Sequence, residues 1–215
     1  MCDFNSAGLP ATTSLLDERG LTLLELTLIL AVSIAMFGAL MPSLSSTLSH
    51  AQAVRAQTDE TNIALALNNA LTDTGNARFT FDGSNAAGSI VNLLVSDGDT
   101  PRELAGVGSA NWQTAVNNAT GLADFLERHL VTNNPRGNAA NDYPVAGANH
   151  WKGAYLNAPI DPDPWGNRYM VNSASLGTAN STYVLSAGPN EIIESVFVGA
   201  PTITAGGDDI MTLVR

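Results

Sequence analysis

From Leu26 to Leu44 the chain carries no charged side chain, and this run restricts the fold more than any other feature. As a helix it is long enough to cross the roughly 30 Å hydrocarbon core of a bilayer, a distance that takes about 20 residues. Inside lipid every backbone polar group must be satisfied within the segment, so a single span has to be helical. A secretory signal is the competing reading, since Ala51-Gln52-Ala53 offers a small-residue cleavage site. The apolar run is longer than such signals usually are, however, and the Ala-x-Ala lies well beyond its end.

One acid interrupts the approach to this segment. Glu25 falls in its first turn, directly after Gly20-Leu21-Thr22-Leu23-Leu24. A carboxylate at the edge of the hydrocarbon is costly and marks a place where the charge is used. These residues resemble the amino terminus of the type IV pilin and pseudopilin superfamily, whose precursors share a glycine, a hydrophobic residue, Thr, Leu, a hydrophobic residue and Glu before an apolar helix. The resemblance implies that a prepilin peptidase cuts after Gly20, leaving Leu21 as a new, usually methylated amino terminus. Glu25 then meets the terminal amine of a neighbouring subunit within lipid, and charge neutralisation selects one axial stagger. The alternative is that Glu25 complements the positive end of its own helix dipole. Two features depart from the family pattern: Leu21 stands where Phe is commoner, and the leader has only Arg19 against Asp3, Asp17 and Glu18.

The balance of 9 Lys+Arg against 20 Asp+Glu, a net charge of −11, repels polyanions, so no nucleic-acid surface is expected. Cys2 is the only cysteine. It lies in the expected leader, which removes Cys-based zinc sites, disulfides and cysteine nucleophiles from the mature chain.

The pattern divides the chain into a polar leader (1–20), a membrane half-helix (21–44), an amphipathic spine (45–73), a variable αβ region (74–150) and a carboxy-terminal β region (151–215). Leu44, Leu48, Ala51, Ile63, Leu67, Ala70 and Leu71 recur at helical spacing, and Asp73-Thr74-Gly75 supplies the stop. Gly38 and Pro42 weaken the helix within the span; either the helix loosens there when packed, as in pilins, or it simply kinks at the membrane surface. In the variable region a second helix is expected from Trp112 to Val131, with Ala115, Leu122, Phe125, Leu126 and Leu130 on one face. His129 and His150 have no spaced partner and read as surface or capping residues.

The last third adds a second signal. Trp151-Lys152-Gly153-Ala154-Tyr155-Leu156 precedes Asp163-Pro164-Trp165-Gly166-Asn167-Arg168-Tyr169, and the pair resembles the W-x-G-x-Y-L and D-P-W-G-N-x-Y pattern of the major pseudopilins of type II secretion. The prolines hold an extended approach, the Gly-Asn turn launches a strand, and Trp165 is expected to bury its ring against the spine. Trp151 and Trp165 also suit a sugar platform, but a core role is preferred. Strands are expected at 168–172, 181–186 and 209–214, giving an α+β fold: a long transmembrane and amphipathic helix packed on a small antiparallel sheet.

Between the last two strands, Asp208 and Asp209 follow Gly206-Gly207, a composition suited to a hard cation that collects oxygens. The resemblance implies calcium held by Asp208 and Asp209, with Asn190 and the region of Ser186 adding oxygens. Gly188-Pro189-Asn190 stands where those proteins commonly have Asp-Gly, so one carboxylate is missing; the alternative is a solvated loop. No enzyme constellation is present: there is no Gly-x-Ser-x-Gly, no phosphate loop and no His-Glu-x-x-His. The resemblance implies a single-pass protein of the bacterial inner membrane with a periplasmic domain. By resemblance its partners are copies of itself, minor pseudopilins, the prepilin peptidase, an inner-membrane assembly platform and lipid. A surface pilin and a non-assembling membrane protein with a ligand-binding domain remain the alternatives.

Overall fold

The computed structural model describes residues 21–83, 89–104, 112–113, 116, 123–197 and 203–214. A single helix, α1, runs over Leu23–Thr74, and Gly75 follows it with φ of 67°, the left-handed conformation that closes a helix and that glycine adopts without a Cβ penalty. The chain separates into two compact units after Thr47.

The first unit is helical from Leu23 and apolar on all sides. Leu28, Ile29, Val32, Ile34, Phe37 and Leu40 are all exposed, and the helix is long and apolar enough to cross a membrane. Its polar side chains turn inward to the helix itself: Thr27 Oγ1 donates to Leu24 O, Ser33 Oγ to Ile29 O and Ser43 Oγ to Leu40 O. Hydroxyls satisfied in this way cost little in hydrocarbon. Gly38 and Pro42 lie within the helix, which continues past both.

In the second unit the later part of α1 is the spine. Ala56, Glu60, Ile63, Ala64, Leu67, Ala70 and Leu71 are buried, the spacing of one helical face, whereas Leu44 and Leu48 are exposed. That face covers one side of a five-stranded sheet in the order β3-β1-β4-β5-β7, where β1 is Leu93–Val95, β3 Ala123–Phe125, β4 Met170–Val171, β5 Tyr183–Ser186 and β7 Ile210–Leu213. β4, β5 and β7 sit in the three predicted places and pair antiparallel. The expectation of a wholly antiparallel, carboxy-terminal sheet is corrected: β1 is antiparallel to β4 but parallel to β3, and both come from the variable region. Two further short strands, β2 (Arg102–Glu103) and β6 (Ile192–Ile193), pair parallel.

Strand residues alternate between two cores. Leu94, Val171 and Val184 pack with the spine. Their neighbours Leu93, Val95, Met170, Tyr183 and Leu185 form a second cluster with Trp112, Ile193 and Phe197 on the opposite face. Successive strand side chains point to opposite faces, so strands covered on both sides are apolar throughout instead of alternating. Trp112 is fully buried, its ring edge-on to Phe197 at 4.9 Å and to Tyr183 at 6.0 Å.

The expected helix from Trp112 to Val131 is also corrected. Trp112, Gln113 and Val116 are helical as expected, and Ala115 and Leu122 lie outside the described residues; beyond them Ala123–Phe125 is strand β3, and Leu126–Leu130 forms the short helix α2. Phe125, assigned to a helical face, belongs to a strand. Parallel pairing with β1 overrides the local helical spacing. Trp165 is half-buried against the spine core, as are Trp151 and Tyr155, so both tryptophans pack where a core role puts them.

Candidate functional site

Two places carry the expected chemistry. Gly20 lies outside the described residues, and Leu21 is exposed. At the start of α1 the backbone N–H and hydroxyl of Thr22 both donate to Glu25 Oε2, each at 2.9 Å, and the Glu25 N–H donates back to Thr22 Oγ1 at 3.2 Å. This reciprocal Thr-x-x-Glu box satisfies two of the donors that a helix start leaves open. Within one chain, Glu25 therefore caps its own helix. Its side chain is exposed, and a carboxylate still has lone pairs for a cation approaching from outside.

The second place is the loop between β5 and β7. Asp209 anchors it: Oδ2 accepts from the backbone N–H groups of Glu194 at 2.9 Å and Ser195 at 2.7 Å. Asp208 Oδ2 accepts from the Asn190 N–H at 3.1 Å. Asn190 Oδ1 accepts from the Ile192 N–H at 2.7 Å, and its amide donates to Glu194 Oε2 at 3.2 Å. Three of the predicted residues, Asn190, Asp208 and Asp209, thus belong to one hydrogen-bonded loop. Burial pushes the Asp209 carboxyl up from its usual range, against the hydrogen bonds from Ser195 and Glu194, and the charge of Glu194 raises it further.

Ser186 sits beside this loop, paired with Ile210, but its hydroxyl donates to Asp163 Oδ2 at 2.6 Å and accepts from the Gly188 N–H at 3.3 Å. What it offers the loop is strand position more than a free hydroxyl. Asp163 in turn organises the Asp-Pro-Trp-Gly-Asn turn, where Oδ1 accepts from the N–H groups of Trp165 at 3.0 Å and Asn167 at 2.9 Å.

In this loop Asp208 Oδ1 and Asp209 Oδ1 are buried and have no hydrogen-bond partner. A buried carboxylate oxygen without a partner is expensive, and a metal ion is one way to satisfy it. Among the described residues no three His, Cys, Asp or Glu side chains converge into a ready-made metal group, so any ion here would draw on loop backbone and side-chain oxygens as well.

A third cluster was not anticipated from the sequence. His129, expected as a surface or capping residue, is fully buried. Its Nε2 is 3.1 Å from Asp124 Oδ2 and its Nδ1 2.8 Å from the Tyr143 hydroxyl. The Asp124 carboxylate faces Nε2 and the Tyr143 hydroxyl faces Nδ1, and that hydroxyl also donates to Thr80 O at 3.3 Å. Burial pushes Asp124 up, but His129 and the N–H groups of Arg136 and Phe125 outweigh it and hold the carboxyl at about 2, below the ordinary 3.8. The Thr80 N–H donates to the Tyr143 oxygen at 3.3 Å, and Trp151 Nε1 donates to His129 O at 3.2 Å. The cluster ties four segments of the variable region together, and its burial makes it structural. His150 is half-buried, and its N–H donates to Asp73 O at 2.9 Å.

Comparison of the chain with protein-family models, with curated proteins and with solved structures finds no match.

Proposed function

We propose that this chain is a structural subunit of a type II secretion pseudopilus or a related type IV pilus-like filament. In this reading it is held in the inner membrane by α1, cut after Gly20, and polymerised through the exposed apolar part of that helix. The observation that carries the reading is Glu25: an acid five residues past Gly20, on a helix whose next residues are apolar and exposed on every side. Bare apolar helices of this kind bury themselves in lipid or against one another, and a lone acid among them favours the packing that brings it a cation. Calcium belongs to the same reading. Asp208 and Asp209, with oxygens from Asn190 and the Ser186 end of β5, would hold it in the loop, where it would neutralise the two acids and stiffen the excursion between β5 and β7.

The test is the amino terminus of the protein extracted from membranes of cells with an active prepilin peptidase. It should begin at Leu21, and Glu25→Ala should stop filament assembly while the melting temperature of the second unit stays unchanged. A chain that keeps its leader in such cells, or an unaltered chain that forms no filament, removes the filament reading, and a Glu25→Ala variant that assembles normally removes Glu25 from it.

A second reading, a single-pass protein that does not assemble, is favoured by the Thr22–Glu25 box, which gives the acid a use within its own chain. The same experiment separates the two, because a chain that does not assemble forms no filament with or without Glu25, and Glu25→Ala then costs only the cap, about 0.5–2 kcal/mol.

A further inference from the structure

The parallel pair β1 and β3 ends beside a cavity of about 470 Å³, a size that suits a small ligand or a few side chains of a partner. Val95 and Phe125 are register partners and the last residues of the two strands. Beyond them the chain leaves β1 through Ser96 and Asp97 and leaves β3 into α2. Both exits line the cavity, and Ile160 and Asp161 complete it.

The wall is partly apolar and the charge around it is negative. Val95, Phe125 and Ile160 supply the apolar part, while Asp97, Glu127 and Asp161 are exposed acids that none of the described ion pairs engages. Arg128 also lines the cavity, but its charge is already answered: Nη1 lies 2.7 Å from the buried Asp124 carboxylate, and the guanidinium sits 5.0 Å over the Phe125 ring. An anion entering here would face three open carboxylates and one neutralised arginine, so the field selects for positive charge.

Two further observations narrow the ligand. Asn134 lines the same cavity, and its side-chain Oδ1 is buried with no hydrogen-bond partner. An orphaned acceptor is costly, and a ligand bearing N–H groups removes that cost. Among the described residues no three acids converge into a metal group. A point ion therefore cannot collect Asp97, Glu127 and Asp161 together, whereas an extended cation can reach more than one of them.

We infer that this cavity binds an organic cation whose ammonium groups are carried on an apolar stem. The stem packs against Phe125 and Ile160, and the nitrogens meet the carboxylates of Asp97, Glu127 and Asp161 and the Asn134 oxygen. A free diamine and the lysine side chains of a partner polypeptide offer the same chemistry. The site lies within the second unit and is independent of the filament reading and of the calcium loop.

The test is calorimetric titration of the full chain in nonionic detergent micelles, at low salt and in chelator. The probes are cadaverine, a lysine-containing peptide blocked at both ends, and the uncharged diol of cadaverine's length. The unaltered chain is compared with the double variant Glu127→Gln, Asp161→Asn and with Glu191→Gln, an exposed acid outside the cavity. Both altered acids of the double variant are exposed, so its melting temperature should match that of the unaltered chain. Its Kd for the amine probe should rise at least about threefold, the loss of two exposed charge pairs. Added salt should weaken binding to the unaltered chain in the same direction, and Glu191→Gln should leave the Kd unchanged. Binding of cadaverine supports the inference with a free amine as a ligand, and binding of the peptide alone supports it with a partner's lysine in that place. The inference is overturned if neither probe binds more tightly than the diol, or if the double variant binds them as tightly as the unaltered chain.

Discussion

The Ser186 hydroxyl donates to Asp163 Oδ2 at 2.6 Å, joining the end of β5 to the Asp-Pro-Trp-Gly-Asn turn. Both residues are buried, and burial is the main cause that pushes the Asp163 carboxyl up, with the hydrogen bonds from Ser186 and Asn167 opposing it. Ser186→Ala should therefore leave an acid short of a partner in a dry place. The expected loss is about 1–3 kcal/mol in urea unfolding of the full chain in detergent. An unchanged midpoint would mean that water replaces the hydroxyl at no cost.

Glu60 predicts a dependence on pH. It is fully buried on the spine, and its Oε2 accepts from the Thr212 hydroxyl at 3.0 Å. Burial, with smaller contributions from the charges of Asp163 and Asp209, outweighs the Thr212 and Ser186 hydrogen bonds and lifts its carboxyl from 4.5 to about 8. The folded chain thus keeps a proton that the unfolded chain has already released. This contribution to stability is complete below the ordinary value and is lost as pH rises through about 8. Unfolding midpoints measured in chelator from about pH 5 to about pH 9 should fall, and Glu60→Gln, which cannot ionise, should flatten the slope. An equally steep profile in the variant would assign the effect to another group.

The buried Asp124, His129 and Tyr143 cluster makes a separate prediction. Tyr143→Phe keeps the ring but removes the partner of His129 Nδ1 and of the Thr80 N–H. Stability should drop by about 1–3 kcal/mol, and a double-mutant cycle with His129 should show coupling instead of simple addition. Strict additivity would mean that the two side chains act independently.

The second core can be tested at Trp112, whose indole N–H donates to Ser195 O at 2.9 Å. Trp112→Ala should cost about 3–5 kcal/mol, the range for a buried aromatic. A loss below about 1 kcal/mol, the scale of ordinary surface changes, would show that the sheet's far face contributes little.

Several elements could be read from neighbouring residues because their signals are local. Gly75 ends α1 where the helical spacing stops, and the prolines and Gly166-Asn167 precede β4. Apolar runs then mark β5 and β7. Glu25 was legible as an acid at the helix start, with its own dipole or a neighbour's amine as the alternatives, whereas the reciprocal box with Thr22 came from the structure.

What the sequence alone determined was the apolar helix, its stopping point and three strands, since each depends on contacts within a few positions. Tertiary structure decided the parallel pairing of Leu93–Val95 with Ala123–Phe125, the burial of His129, the second core around Trp112 and the meeting of Glu194 with Asp208. Strands of two or three residues are too short to display a period, and a side chain's partner across a sheet or loop is set by register and packing density, which no local spacing encodes.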